Sequence, residues 1–201
     1  MLGDLVVAAP LRVEARALRR GAPGLRVLRT GIGPERARAA AVRLRADDAA
    51  SVAIAGLCGA LDPALALGDV VLASAILGTD AELAPADDLA RAVRRAGFTV
   101  HRCPIVSAEH LVRGAERESL RAGGAAAVDM ESAWLQSGAG GRPLVVLRVV
   151  SDGPGRELLR PGAAADLVRA LRALRRLAPA LESWGANSQS RAERKRLGGE
   201  S

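Results

Sequence analysis

Pro143 to Val150 (Pro-Leu-Val-Val-Leu-Arg-Val-Val) is the stretch that most narrows what this chain can fold into. It is short, β-branched and bounded by turn signals, which predicts a strand buried on both faces. Its proline stands at the first position, where a strand tolerates one. Ser151-Asp152-Gly153-Pro154-Gly155 then breaks the run. A strand apolar on both faces belongs in a sheet covered by helices on each side. In such sheets ligands sit at the carboxyl ends of strands. Asp152 therefore stands where substrate chemistry is expected, and a turn or helix-cap aspartate is the plainer alternative.

Similar runs recur along the chain. Leu5–Ala9, Leu25–Thr30, Val52–Leu57 and Asp69–Ala73 read as strands, and Phe98–Val106 as an extended segment interrupted by Pro104. Helical patterns alternate with them at Val13–Arg20, Glu35–Leu44, Asp87–Arg95 and Ala163–Trp184, with Pro34 suited to a helix start and Pro179 to a kink or early stop. Ala125–Val128 leads into Met130-Glu131, and a helix starts over Glu131–Gln136. The alternation predicts an α/β fold, a single domain over residues 1–185 with a central mixed sheet flanked by helices on both faces. Residues 186–201 are polar and charged and are expected to form a disordered tail.

Composition removes several function classes. The net charge of +7 comes from arginine, Lys195 being the only lysine, and there are one Phe, two Trp and no Tyr. The arginines are scattered and no aromatics interleave with them, so a nucleic-acid partner is not expected. Cys58 and Cys103 form no closely spaced pair, and His101 and His110 complete no ligand set, so neither metal nor cofactor is expected. Two unpaired thiols suit a reducing compartment. Met1–Pro10 lacks the charged start and cleavage pattern of a signal peptide, and no run reaches the roughly 18–20 apolar residues of a spanning helix. A soluble, cytoplasmic protein is expected.

Several segments, in order, resemble a family. Val6–Leu18 resembles its first strand and the Glu-bearing turn after it. Thr30-Gly31-Ile32-Gly33 resembles an S/T-G-I/V-G turn, and Ala55–Leu61 a G-S-A-G-G-L loop. Leu67–Val71 resembles a G-D-I-V strand, Val128–Ser132 a V-E-M-E-A/S motif, and Arg148–Asp152 an R-x-I-S-D motif. Together these resemble the nucleoside phosphorylase/nucleosidase superfamily. The nearest branch contains methylthioadenosine/S-adenosylhomocysteine nucleosidase, futalosine hydrolase and hopanoid-associated adenosylhopane nucleosidase.

The resemblance implies cleavage of a purine N-glycosidic bond, a reaction whose logic parallels glycoside hydrolysis by paired carboxylates. Asp152 would be the general acid toward N7 of the base, kept protonated by burial or by the nearby charge of Glu131, and Ser151 would orient it. Glu131 would accept hydrogen bonds from the ribose hydroxyls, with Met130 packed under the sugar. Glu14 would activate water; an exposed helical glutamate beside Arg16 and Arg20 is the alternative. Gly59 and the backbone at Cys58 would approach the base, and Ser107 would lie near it unless it caps a helix.

Arg12 is the candidate phosphate ligand if the enzyme is a phosphorylase. The arginine that precedes the Gly-rich loop in hexameric phosphorylases is replaced by Ile54-Ala55, which favours water as the acceptor. Futalosine hydrolysis and nucleoside binding without turnover are further alternatives. The partners implied are a small nucleoside and further copies of the chain, as a dimer or larger. Leu167, Leu171, Leu174, Ala178 and Leu181 form a stripe on the last helix with arginines around it. Such a helix packs on its own sheet, or makes a weak contact with an anionic membrane surface.

Overall fold

The structure, a computed structural model, describes residues 5–155 and 162–197. It opens with β1 (Leu5–Ala9), α1 (Arg12–Gly21), β2 (Arg26–Arg29) and α2 (Pro34–Arg45). There follow β3 (Ser51–Ala60), β4 (Val70–Ile76), α3 (Asp87–Arg95), β5 (Val100–Ser107), α4 (Ala115–Ala122) and β6 (Ala127–Asp129). A short α5 (Ser132–Leu135) runs into a 3-10 turn, and β7 (Leu144–Asp152) and α6 (Ala163–Leu197) come last. The fold class read from the alternation is the one found.

The strands make one mixed sheet in the order β2-β1-β3-β6-β5-β4-β7, and β7 returns to pair with β3. Five strands thereby close on themselves, with β1 and β2 extending the sheet from β3. Every residue of β7 is buried, as its composition required. It lies parallel to β3 and antiparallel to β4.

β3 makes the closure. The expected strand ended at Leu57, but the observed one continues through Gly59 and Ala60, which pair antiparallel with Val128 and Ala127 of β6. Its glycines make room for neighbours rather than ending the strand. A Cβ at Gly56 would lie 2.7 Å from Glu14 Oε1. One at Gly59 would lie 3.1 Å from Asp152 Oδ2. Between Cys58 and Gly59 the β3–β7 register shifts, so that Cys58 pairs with Val150 and Gly59 with Asp152. Ser151 is the extra residue of this bulge.

β5 is continuous through Pro104, contrary to expectation. The β4–β5 register shifts there, Ala73 facing Cys103 and Ile76 facing Ile105, at the residue that has no N–H to give.

Two aliphatic cores sandwich the sheet. One includes Leu18 of α1, Leu89 and Val93 of α3, and Leu174, Leu177 and Leu181 of α6. The other packs Ala37, Ala40 and Leu44 of α2 and Leu135 of α5 on the opposite face. Leu174, Ala178 and Leu181 are fully buried, so most of the apolar stripe of α6 is core.

α6 passes through Pro179 without ending. A proline leaves the carbonyl four residues back without its helical partner. That carbonyl, of Arg175, faces Gly21 of α1, where a Cβ would lie only 1.9 Å from its oxygen. The helix also runs on to Leu197, so residues 186–197 are helical rather than the irregular tail expected. Arg, Ala, Glu, Lys and Leu in this stretch are strong helix formers. Ser188 is buried, its hydroxyl donating to the Trp184 carbonyl at 2.9 Å. Residues 198–201 of the expected tail lie outside the described residues.

Candidate active site

Glu14 reaches its position because α1 starts immediately after β1. From the first turn its carboxylate turns back to accept the Leu11 N–H at 2.6 Å, and its other oxygen accepts the Leu57 N–H of β3 at 2.8 Å. The residue is 2% exposed, so it is not the solvated helical glutamate offered as the alternative. Burial raises its pKa, against the two N–H donors and the Arg148 charge, which lower it.

The Val-Asp-Met-Glu-Ser motif spans the end of β6 and the start of α5. Asp129 is a structural centre: it accepts the Ser107 hydroxyl at 2.5 Å and the backbone N–H groups of Glu131 and Ser132 at 3.2 Å. The Ser132 hydroxyl donates to its second oxygen, and Arg148 of β7 pairs with it at 2.6 Å. Glu131 stands at the N-cap of α5, where its carbonyl accepts the Trp134 and Leu135 N–H groups. Its carboxylate lies 3.8 Å from Arg148.

Burial pushes Glu131 from 4.5 up to about 7, Asp129 and Glu14 adding to the rise and Arg148 opposing it. Between those two values the folded protein keeps a proton that the unfolded chain has released. The stability this contributes is complete below pH 4.5 and is lost as pH rises through about 7. Glu131→Gln is expected to remove that loss. At pH 8 the variant gains on the order of 1–3 kcal/mol over the parent, and at pH 4 the two are equal. Urea denaturation at the two pH values checks this; equal shifts at both would contradict it.

Asp152 is the last residue of β7, and the bulge at Ser151 sets it opposite Gly59. The Ser151 hydroxyl lies 3.2 Å from Asp152 Oδ1 and 3.2 Å from the Cys58 carbonyl. Asp152 also pairs with Arg117 of α4, which donates to its Oδ2 and, at 2.7 Å, to the Ala60 carbonyl. Beside Asp152 stands Arg117, a neighbour the sequence reading had not placed there. Asp152 has a guanidinium partner, and burial pushes Glu131 up.

These groups open on one cavity of about 290 Å³. Glu14, Glu131, Asp152, Met130, Ser151, Gly59 and Cys58 all line it. Cys58 is buried, and burial pushes its thiol far above the ordinary range, so it serves as wall rather than nucleophile. Leu11, Ile32, Leu111, Val112 and Leu167 supply an apolar side.

Two expected site residues are not among the lining residues. Ser107 is held between the Asp129 carboxylate and the Ala133 N–H, which it accepts at 2.9 Å, so it secures the start of α5. It is neither a wall of the cavity nor a cap on residues 108–110. Arg12 lies on the exposed first turn of α1. Among the described residues no three His, Cys, Asp or Glu side chains converge as metal ligands, and no helix is long and apolar enough to cross a membrane.

Sequence reading missed Arg117 and the roles of Asp129 and Arg148. Arg148 and Asp129 were visible as charges inside apolar runs, a signal that each has a buried partner. Arg117 gave no such signal, because α4 has no apolar face.

A mixed sheet closed by β3, with carboxylates following three of its strands around one cavity, defines a nucleoside-phosphorylase-type fold. The chain belongs to the phosphorylase superfamily, whose model matches residues 21–181. None of the curated proteins matches the sequence. Among solved structures it is similar to 5′-methylthioadenosine/S-adenosylhomocysteine nucleosidase of Helicobacter pylori. There the TM-score is 0.73 at 16% identity, covering 92% of this chain and 98% of that one. Futalosine hydrolase of Helicobacter pylori gives 0.76 at 18% identity, covering 90% and 97%. The Campylobacter jejuni 5′-methylthioadenosine/S-adenosylhomocysteine nucleosidase gives 0.74 at 16%, covering 89% and 98%.

Proposed function

We propose that this protein is a purine nucleosidase that hydrolyses the N-glycosidic bond of a 5′-substituted adenosine-type nucleoside. The observation that carries this reading is the convergence of Glu14, Glu131 and Asp152 on one cavity. Cleavage develops positive charge on the ribose and negative charge on the base, and both need partners. Glu131 would accept the ribose hydroxyls in its ionised form, with Met130 beneath the sugar. Glu14, held by two N–H donors, would orient water and take its proton. Asp152 would face the base, with Gly59 allowing the ring close to the backbone.

Water is favoured over phosphate by the positions of the arginines. Arg12 lies outside the cavity lining and Arg148 is buried beneath it. Arg117, the one arginine among the described lining residues, is bonded to Asp152 and Ala60. The apolar side formed by Leu11, Ile32, Leu111 and Leu167 suits a 5′-group such as a methylthio or a hydrocarbon chain. That range includes methylthioadenosine and adenosylhopane, with futalosine as the alternative.

Free-base release, followed by chromatography, tests the reading. Methylthioadenosine, adenosylhomocysteine, adenosine, inosine, futalosine and adenosylhopane would each be offered with and without phosphate. Adenine release independent of phosphate is expected. Release only with phosphate would make the protein a phosphorylase, and no release from any of them would refute nucleoside cleavage on this panel.

A further inference from the structure

We propose that the groove between α3 and α6 is a second binding site, built for a phosphate group, free or carried as a monoester. It shares no lining residue with the candidate active-site cavity, and it stands whether or not the protein cleaves nucleosides.

α3 and α6 pack together on one aliphatic core that includes Leu89, Val93, Leu177 and Leu181. Beside that core they leave a groove of about 400 Å³, a volume in the range of small-molecule sites. Most of its walls are polar. Arg91 and Arg95 line it from α3, four residues apart and so on one helix face. Ser183 and Asn187 line it from α6 with the same spacing.

Trp184 lines the groove too and is 2% exposed. Its indole Nε1 is buried and has no hydrogen-bond partner among the described residues. An indole N–H can only donate, and a buried donor left unmatched is costly. Filling the core needs a ring or an aliphatic chain there, not a nitrogen. The N–H calls for an acceptor, and the groove is the open space beside it.

The other walls say what kind of acceptor. Asp88 is the one carboxylate among the described lining residues, and Arg91 is bonded to it. Arg95 makes no ion pair among the described residues. Arg95, the Trp184 N–H, the Ser183 hydroxyl and the Asn187 amide thus surround one space as groups able to donate. Such a set complements an anion. The donors stand on both helices, so oxygens that diverge tetrahedrally meet more of them than the two coplanar oxygens of a carboxylate. A guanidinium fork also suits phosphate.

The indole N–H is its own reporter. Proton–nitrogen NMR spectra of the full chain are expected to show two indole signals, one for each tryptophan, assigned with Trp134→Phe. Inorganic phosphate, ribose 5-phosphate and acetate would each be titrated at ionic strength matched with sodium chloride. The Trp184 signal is expected to move and saturate with phosphate or its ester, with a midpoint on the order of 1 mM or tighter, while Trp134 stays in place. Tighter binding of the ester identifies a carried phosphate, and equal binding the free ion.

Arg95→Met is expected to weaken the midpoint about tenfold, and Asn187→Ala by less. Both positions are exposed, and an unmoved Trp134 signal confirms that each variant is folded. A Trp184 signal that stays still or drifts without saturating would mean that the groove holds water alone, and would overturn the proposal. So would an Arg95→Met midpoint equal to the parent's, or acetate binding as tightly as phosphate.

Discussion

Glu14→Gln is expected to slow base release by about 10²- to 10⁴-fold, the range for removing a positioned general base. The substitution keeps the shape of the side chain and removes its ability to take a proton. The two N–H donors that fix Glu14, Leu11 at 2.6 Å and Leu57 at 2.8 Å, arrive at different oxygens. An amide can accept only one of them through oxygen and must turn its NH2 against the other. A stability loss of about 1–2 kcal/mol accompanies the change. Single-turnover rates and a urea transition measured on the same preparation separate the two effects. Parent-like turnover in a folded Glu14→Gln protein would remove Glu14 from water activation.

Arg148→Met is expected to produce the largest change in stability, about 3–5 kcal/mol, because it strands buried carboxylates without their cation. Arg148 is fully buried, paired with Asp129 at 2.6 Å and donating to the Ser132 hydroxyl at 2.9 Å. Its charge also holds down both Glu131 and Glu14. Without it those two groups rise further, so the folded protein holds their protons to higher pH and the penalty grows as pH rises. Urea midpoints at pH 5 and pH 8 measure that slope. A double variant, Arg148→Met with Asp129→Asn, should recover part of the loss. A loss under about 1 kcal/mol at pH 8 would mean the cluster does not depend on its arginine.

The alternation of strands and helices was plain in the sequence because apolar periodicity is a local signal, and β1, α3 and the start of α6 appear where it placed them. Glu14, Glu131 and Asp152 were legible for a related reason: each follows a strand whose end a reader can find. What escaped is what depends on distant chain. Gly59 looked like the end of a strand, and only the neighbours Asp152 and β6 show why the strand continues. α4 escaped because its eight residues carry no apolar stripe, and Arg117 escaped with it. Ser107 was expected near the base because of its loop, yet Asp129 holds it instead, a partner from a motif 22 residues away. The pairing of Asp152 with Arg117 was hidden for the same reason, since Arg117 belongs to an element that local pattern does not reveal.

β3 pairs with β1, β6 and β7, strands drawn from the beginning, middle and late part of the chain. Closing these pairings means closing long loops, so folding is expected in the slower milliseconds-to-seconds regime of non-local topologies. During synthesis β1, β2 and β3 emerge long before β7, and β3 then offers a bare apolar edge that only its own later strand can cover. Asp152 is the final residue of that strand. A nascent chain therefore gains its last carboxylate at the moment it loses its most adhesive edge, and a product that stops short of β7 lacks both the cover and the third carboxylate.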